Sequence, residues 1–313
     1  MSTKFQLVTV LGPTAVGKTI FAANLALSLD AEIISADSRQ VYRGMDIGTG
    51  KDIADYTVGG QLIPSHLIDI AEPGSEYNVF QFQRDFQSVW NSILSGDKTP
   101  LMCGGTGMYL EAILQGYDFI EAPVNLMLRH ELSEYSDIEL VAMLKKFRKL
   151  HNTTDILDRE RMVRAIEIEK YKLDKRNHPQ ANVFLNTPVI GIRFDRKTIR
   201  HRITTRLVQR LEEGMVEEVR RLLANGIDED RLKMYGLEYK YITMFLVGEL
   251  NYNEMFTLLN TAIHQFAKRQ MTWFRRMENN GIKIFWLEGE DGLKINLDKA
   301  SKYLSLHYYK KNG

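Results

Sequence analysis

Gly12-Pro13-Thr14-Ala15-Val16-Gly17-Lys18-Thr19 decides the fold. These eight residues fit G-x-x-x-x-G-K-[ST], a loop that wraps phosphate groups in backbone N–H donors. The flanks give the match its meaning. Phe5-Gln6-Leu7-Val8-Thr9-Val10-Leu11 is apolar and β-branched, which predicts a buried strand before the loop. Ile20 to Leu27 has helical apolar spacing with neither Gly nor Pro, which predicts a helix after it. Strand, glycine loop and helix aim the loop's N–H groups and the helix N-terminus at one anion. Gly12, Pro13, Thr14, Ala15, Val16, Gly17, Lys18 and Thr19 are thus the expected phosphate-binding residues. Lys18 adds positive charge for the outer phosphates, and the Thr19 hydroxyl is placed to hold Mg²⁺.

Outward from this loop the chain alternates. Ala31-Glu32-Ile33-Ile34-Ser35-Ala36 reads as a second buried strand and ends in Asp37-Ser38-Arg39-Gln40. His66 to Ile70 is a short third candidate, Val79 to Leu94 has helical spacing, and Pro100 to Cys103 is a fourth strand running into Gly104-Gly105-Thr106-Gly107. Such alternation predicts an α/β fold: a P-loop core with a mostly parallel sheet flanked by helices. Ligands gather at the carboxyl ends of such strands, so the P-loop, Asp37 and Gly104 to Gly107 are expected to face one crevice. From Asp118 to Thr187 strand patterns vanish, and helical stretches such as Ile138 to His151 and Arg159 to Leu173 predict an all-helical insertion domain. Strands return at Val189 to Phe194 and Ile282 to Leu287, with helical stretches at Ile199 to Ala224 and Glu254 to Glu278 between them. The expected division is 1–117 for the first part of the core, 118–187 for the insertion and 188–313 for the core continued with long C-terminal helices.

The whole chain narrows the classes. Its 313 residues are 44% hydrophobic and 26% charged, as in an ordinary soluble protein, and the net charge is +1. Bulk charge therefore decides nothing about a polyanionic partner, and only local clusters speak to one. The single cysteine, Cys103, excludes an intramolecular disulfide and a Cys-rich zinc site. It lies in an apolar run, as a buried structural thiol does. No apolar run approaches the ~18 residues of a membrane span and no signal-like segment opens the chain, so a cytoplasmic setting is expected. The histidines lack metal-ligand spacing, and no protein-only metal site is expected.

Asp37 is the nearest carboxylate at a strand end. It is placed either as a general base beside the phosphate site or as a turn or N-cap residue. Gly104 to Gly107 would let a ligand approach the backbone, or would form a plain strand-to-helix turn. Basic residues form three clusters: Arg193 to Arg210, Arg159 to Arg164, and Lys268 to Arg276 around Trp273 and Phe274. Arg202, Arg206 and Arg210 share one helix face. Cations beside aromatics suit phosphates and unstacked bases, whereas a solvated face with intrahelical ion pairs is the plain alternative for each cluster.

Together these stretches resemble the tRNA dimethylallyltransferase (tRNA isopentenyltransferase) family. The resemblance rests on the P-loop, Ser35 to Tyr42, Asp46-Ile47-Gly48-Thr49, His66 to Ile70, Tyr77-Asn78-Val79, Gly104 to Tyr109, Arg161 to Glu167 and Lys268 to Arg275, in order along nearly the whole chain. It implies transfer of a dimethylallyl group from dimethylallyl diphosphate to the N6 amine of the adenine 3′ of the anticodon in tRNA. Diphosphate is released and Mg²⁺ is required. Asp37 would orient the amine and accept its proton, and Thr19 would meet the diphosphate or its metal. Arg206 would neutralise the leaving group, with Arg202 the second choice. The anticodon stem-loop would be held by Asp37, Ser38, Arg39, Gln40, Thr106 and Arg129, by Arg161 and Arg164 on the insertion, and by Lys268, Arg269, Gln270, Thr272, Trp273 and Arg275 on the core. A monomer is expected. The chain departs from the family pattern at Gly50, usually Ala, and at Asp52, usually Pro. Two rival readings fit the same residues: a P-loop nucleotide or small-molecule kinase, and a non-enzymatic RNA-binding protein gated by a nucleoside triphosphate.

Overall fold

The computed structural model describes residues 5–117, 122–147, 158–174 and 187–312. By its contacts the chain divides into two compact units, Met1–Gly116 with Val183–Gly313, and Tyr117–Asn182.

The larger unit opens with β1 (Val8–Leu11), α1 (Lys18–Leu29), β2 (Ala31–Ala36), a hairpin of β3 (Thr57–Val58) and β4 (Gln61–Leu62), and β5 (Ser65–His66). It continues with α2 (Val79–Ser95), β6 (Thr99–Gly104) and α3 (Gly107–Leu114). The smaller unit holds α4 (Leu126–Ser133), α5 (Asp137–Phe147) and α6 (Arg159–Asp174). The chain then returns with β7 (Val189–Arg193), α7 (Arg196–Glu212), α8 (Met215–Ala224), α9 (Glu229–Met234), α10 (Leu237–Leu246), α11 (Tyr252–Asn279), β8 (Ile284–Glu288) and α12 (Gly292–Asn312).

Six strands form one sheet in the order β5-β2-β6-β1-β7-β8. Every pairing in it is parallel, with Val8 opposite Leu101 and Thr9 opposite Val189. Alternation along the strands gives each face its own core. Val8, Val10, Ile33, Leu101 and Ile190 pack on Phe21 and Leu25 of α1 and on Ala300 and Leu304 of α12. Leu11, Ile34, Met102 and Val189 pack on Phe82 and Phe86 of α2, on Leu110 of α3 and on Phe274 and Met277 of α11. A parallel sheet covered on both faces is why its strands read as near-continuous apolar runs. Cys103 lies in the first of these cores, and burial pushes its thiol up to about 12, so it is an inert structural residue. Among the described residues no helix is long and apolar enough to cross a membrane.

The elements differ from the sequence expectation at definite points. The strand expected over His66 to Ile70 is only Ser65–His66, because Leu67 and Asp69 take left-handed φ angles of 61° and 54°. The helix expected over Ile199 to Ala224 is two, α7 and α8, divided at Gly214 with φ 100°. Residues 148–151 of the helix expected over Ile138 to His151 lie outside the described residues.

The smaller unit packs Leu128, Leu132, Leu140, Leu144, Met162 and Ile166 into its own core. Its polar centre is Glu167, only 2% exposed. Glu167 accepts from Asn125 N, from Arg129 Nη2 at 3.1 Å and from Arg164 Nη1. Arg164 also donates from Nη2 to Ala122 O at 2.7 Å. Burial alone would raise the Glu167 pKa, but the donors from Arg129, Asn125 and Arg164 outweigh it and hold the carboxyl at about 2 against an ordinary 4.5. A depressed folded-state pKa contributes stability that is complete above the unfolded value and lost as pH falls through the folded one. Glu167→Gln is therefore expected to destabilise this unit by about 2–3 kcal/mol at neutral pH. The deficit should shrink as pH drops from 4.5 toward 2, as read by urea melts across pH. A deficit independent of pH would leave the ion pairs without weight.

Candidate active site

The P-loop follows β1, Asp37 follows β2, and α7 supplies arginines to both. Ala15 and Gly17 take left-handed φ angles of 64° and 79°, so the loop curls into a nest of N–H donors at the start of α1. Two long-range side chains fix this curl. Arg202 Nε donates to Ala15 O at 2.8 Å. Gln270 of α11 accepts from Thr14 N at 2.9 Å and donates from Nε2 to Gly105 O at 2.9 Å, which ties the P-loop to the loop after β6.

The nest opens into a crevice of about 150 Å³ lined by Lys18, Thr19, Asp37, Asp52, Arg206 and Arg210 among others. A wider opening of about 570 Å³ shares Ala15, Asp52, Asp55, Arg202, Arg206 and Arg210 with it. Burial pushes the Lys18 ammonium down, while the Asp37 carboxylate pulls it up. Burial and then the adjacent Arg210 guanidinium push Arg206 down to about 10, which leaves it charged at neutral pH. Burial and then Asp52 push the Asp55 carboxyl up.

Asp37 serves as a turn residue and keeps an oxygen in reserve. Its Oδ1 accepts from Arg39 N at 3.0 Å, a local turn bond. Its Oδ2 has no hydrogen-bond partner among the described residues, and its side chain is 15% exposed. A carboxylate oxygen that is nearly buried, unpaired and beside a phosphate cradle is what a proton acceptor requires.

The other expected residues divide by what they touch. Arg39 donates to Glu238 at 2.7 Å and lies over the Phe266 ring at 5.4 Å. Ser38 N donates to Thr106 Oγ1 at 3.0 Å. Gln40 is buried, donating to Gly50 O at 3.0 Å and accepting from Ser35 Oγ at 3.2 Å. Gln40 and Gln270 are thus scaffold amides of the crevice. Trp273 packs where a Cβ on Gly107 would sit, with Arg276 over its ring at 4.0 Å. Around Gly104, Gly105 and Gly107 the room for a Cβ is taken by Ala36, Gln270 and Trp273, with Lys18 Cε also 3.5 Å from the Gly105 position, so the loop packs against the P-loop and the turn after β2. Lys268, Arg269, Thr272 and Arg275 are exposed along α11. On the insertion Arg129 and Arg164 are engaged by Glu167, while Arg161 is 61% exposed and sits 3.7 Å from Asp158.

Sequence reasoning did not assign Asp52 and Arg210. Arg210 Nη2 donates to Asp52 Oδ2 at 3.1 Å, and Arg206 Nη2 lies 3.5 Å from the same oxygen. The signal was available for Arg210, one turn beyond Arg206, but not for Asp52, which a loop brings in. Asp52 competes with an anion for the two guanidinium groups. Its side chain is 48% exposed, so the pair is weak. Asp52→Ala is expected to tighten binding of inorganic diphosphate in metal-free buffer by up to about fivefold, the equivalent of ~1 kcal/mol. Unchanged or weaker binding by calorimetry would remove Asp52 as a competitor.

Among the described residues no cluster of three His, Cys, Asp or Glu is placed to hold a metal. The Thr19 hydroxyl lines the crevice and has no hydrogen-bond partner among the described residues. A hydroxyl oxygen so placed fits Mg²⁺ when phosphate oxygens and water complete its shell.

Residues 40–277 match the family model described as IPP transferase, and residues 5–60 match that described as isopentenyl transferase. The chain is 56% identical over 301 residues to tRNA dimethylallyltransferase 2 of Bacteroides fragilis, covering 94% of this chain and 97% of that one. It is 52% identical over 311 residues to tRNA dimethylallyltransferase 2 of Phocaeicola vulgatus, covering 98% and 99%. The crystal structure of the tRNA isopentenylpyrophosphate transferase of Bacillus halodurans superposes with a TM-score of 0.72 at 30% identity, covering 99% and 98% of the two chains.

Proposed function

The chain belongs to the IPP transferase family, and from that premise we propose that it transfers a dimethylallyl group from dimethylallyl diphosphate to the N6 amine of the adenine 3′ of the anticodon in tRNA. The relatives' names favour this reading over the kinase and the RNA-binding switch. The observation that carries the chemistry is the meeting of an unpaired Asp37 oxygen, the P-loop and Arg206 in one crevice.

The reaction follows from those groups. The diphosphate lies in the P-loop nest against Lys18 and Arg206. The amine's lone pair, weakened by delocalisation into the purine ring, forms a bond to C1 of the dimethylallyl group. The C1–O bond breaks, and its electron pair leaves on the diphosphate. Lys18, Arg206 and the nest's N–H groups meet the charge that grows on that oxygen, so they stabilise the transition state more than the ground state. Asp37 Oδ2 takes the proton released by the amine. Thr19 would hold Mg²⁺, which supplies further positive charge to the diphosphate oxygens. The adenine must leave its stack to reach the crevice, as in other enzymes that act on a base. Exposed cations along α11 and Arg161 on the insertion are suited to the RNA backbone.

One assay tests the reading. Dimethylallyl diphosphate, Mg²⁺ and tRNA should yield prenylated tRNA and diphosphate. ATP in place of the prenyl donor should yield neither product nor ADP. Phosphate transfer from ATP to a small acceptor would establish the kinase instead.

A further inference from the structure

The P-loop crevice has a larger neighbour. A cleft of about 620 Å³ lies between α7, α11 and the carboxyl end of β7. It adjoins the crevice: Pro13 lines the cleft and Thr14 lines the crevice. Arg202 also separates the two, bonded to Ala15 O on one side and lying 4.6 Å over the Phe194 ring on the other.

The walls of the cleft are apolar and aromatic: Phe194, Ile199, Ile203, Ala267, Met271 and Trp286. Its rim is cationic. Arg193 is paired with Glu288, and Glu278 accepts from Trp286 Nε1 at 3.0 Å. Arg196, Arg200, Lys268 and Arg275 are exposed, and no ion-pair partner for any of them occurs among the described residues. In the P-loop crevice the cations converge on one small volume. Here they are strung out along two helices. At 1.5 Å rise per residue, Lys268 and Arg275 stand about 10 Å apart along α11, and Arg196 and Arg200 about 6 Å apart along α7. Separated cations over an aromatic floor fit consecutive phosphates and an unstacked base, and they fit a single compact diphosphate poorly.

We propose that this cleft takes a single-stranded nucleotide of the RNA substrate, next to the one that enters the crevice. Its base lies against the apolar floor, and its flanking phosphates meet Arg196 and Arg200 on one side and Lys268 and Arg275 on the other. This rests on the function proposed above. It adds Arg196 and Arg200 to the RNA-binding surface.

The test compares the wild type with Arg196→Ala/Arg200→Ala and with Arg196→Lys/Arg200→Lys, each checked for an unchanged melting temperature. The Ala pair should raise KM for tRNA on the order of tenfold and lower the salt slope of RNA binding by about 1.4, two single-strand contacts at ~0.7 each. KM for dimethylallyl diphosphate should stay unchanged, and the Lys pair should restore the slope. Superimposable salt plots for wild type and the Ala pair would overturn the proposal. ADP is titrated in parallel, followed by tryptophan fluorescence. ADP binding lost in the Ala pair while RNA binding is unchanged would also overturn it, moving the site to a free nucleotide. The salt slopes are measured without catalysis. A wild type that fails to prenylate tRNA would thus count against the proposed function and leave this measurement standing.

Discussion

Asp37→Asn is expected to lower kcat by roughly 10²–10⁴-fold, the range for loss of a general base. The substitution keeps shape and polarity. The Asn carbonyl oxygen can still accept from Arg39 N, so the turn after β2 should survive. What disappears is the proton acceptor at Oδ2. RNA affinity and KM for the prenyl diphosphate should change little, because neither depends on where the amine's proton goes. This split is informative. A structural role for Asp37 would disturb binding along with turnover, whereas a general base affects turnover alone. Near-normal turnover in the Asn variant would end the assignment.

Removing the crevice cations should act on the other partner of the same step. Arg206→Ala is expected to lower kcat about 10²–10³-fold, the effect of losing one donor to a developing oxyanion. Lys18→Ala should do at least as much and also weaken binding of the product. Diphosphate with Mg²⁺ at a hundredfold excess over its Kd should stabilise the wild type by about 2.7 kcal/mol through mass action, which a melting curve reads directly. Lys18→Ala should lose most of that shift. An equal shift in both proteins would place the diphosphate away from the P-loop.

The sequence carried the core well because its signals are local. β2 falls on the residues read for it, and α2 and α6 lie within one residue of theirs, since a buried parallel strand and an amphipathic helix each announce themselves in a short window. The smaller helices α9 and α10, and α12 at the C-terminus, escaped that reading. In α12 the apolar residues are divided between the core and solvent: Ala300 and Leu304 are buried, while Ile295 is 51% exposed. Such a stripe gives no clear period. The site divides the same way. The P-loop and Asp37 sit at strand ends and were legible. Asp52 and Glu238 were not, because the first arrives on the loop after β2 and the second on α10, and only the tertiary fold sets them beside arginines from distant segments. The two scaffold amides teach a related point. Gln40 and Gln270 have the polarity of ligand contacts, and only the geometry exposes their bonds to backbone.

The Gln270 bridge has a consequence for biosynthesis. Thr14 N and the Gln270 oxygen that receives it are 256 positions apart. β1 likewise waits for β7 to cover its second edge. At about 5–20 residues per second, translation leaves the finished P-loop sequence without its clasp for roughly 13–50 s. A nascent chain therefore carries the phosphate motif long before it carries the phosphate site. Long-range closure of this kind raises contact order and slows folding. It also makes the capture of diphosphate a property of the completed chain: a fragment ending before α11 should bind diphosphate no better than an unfolded peptide of the same charge.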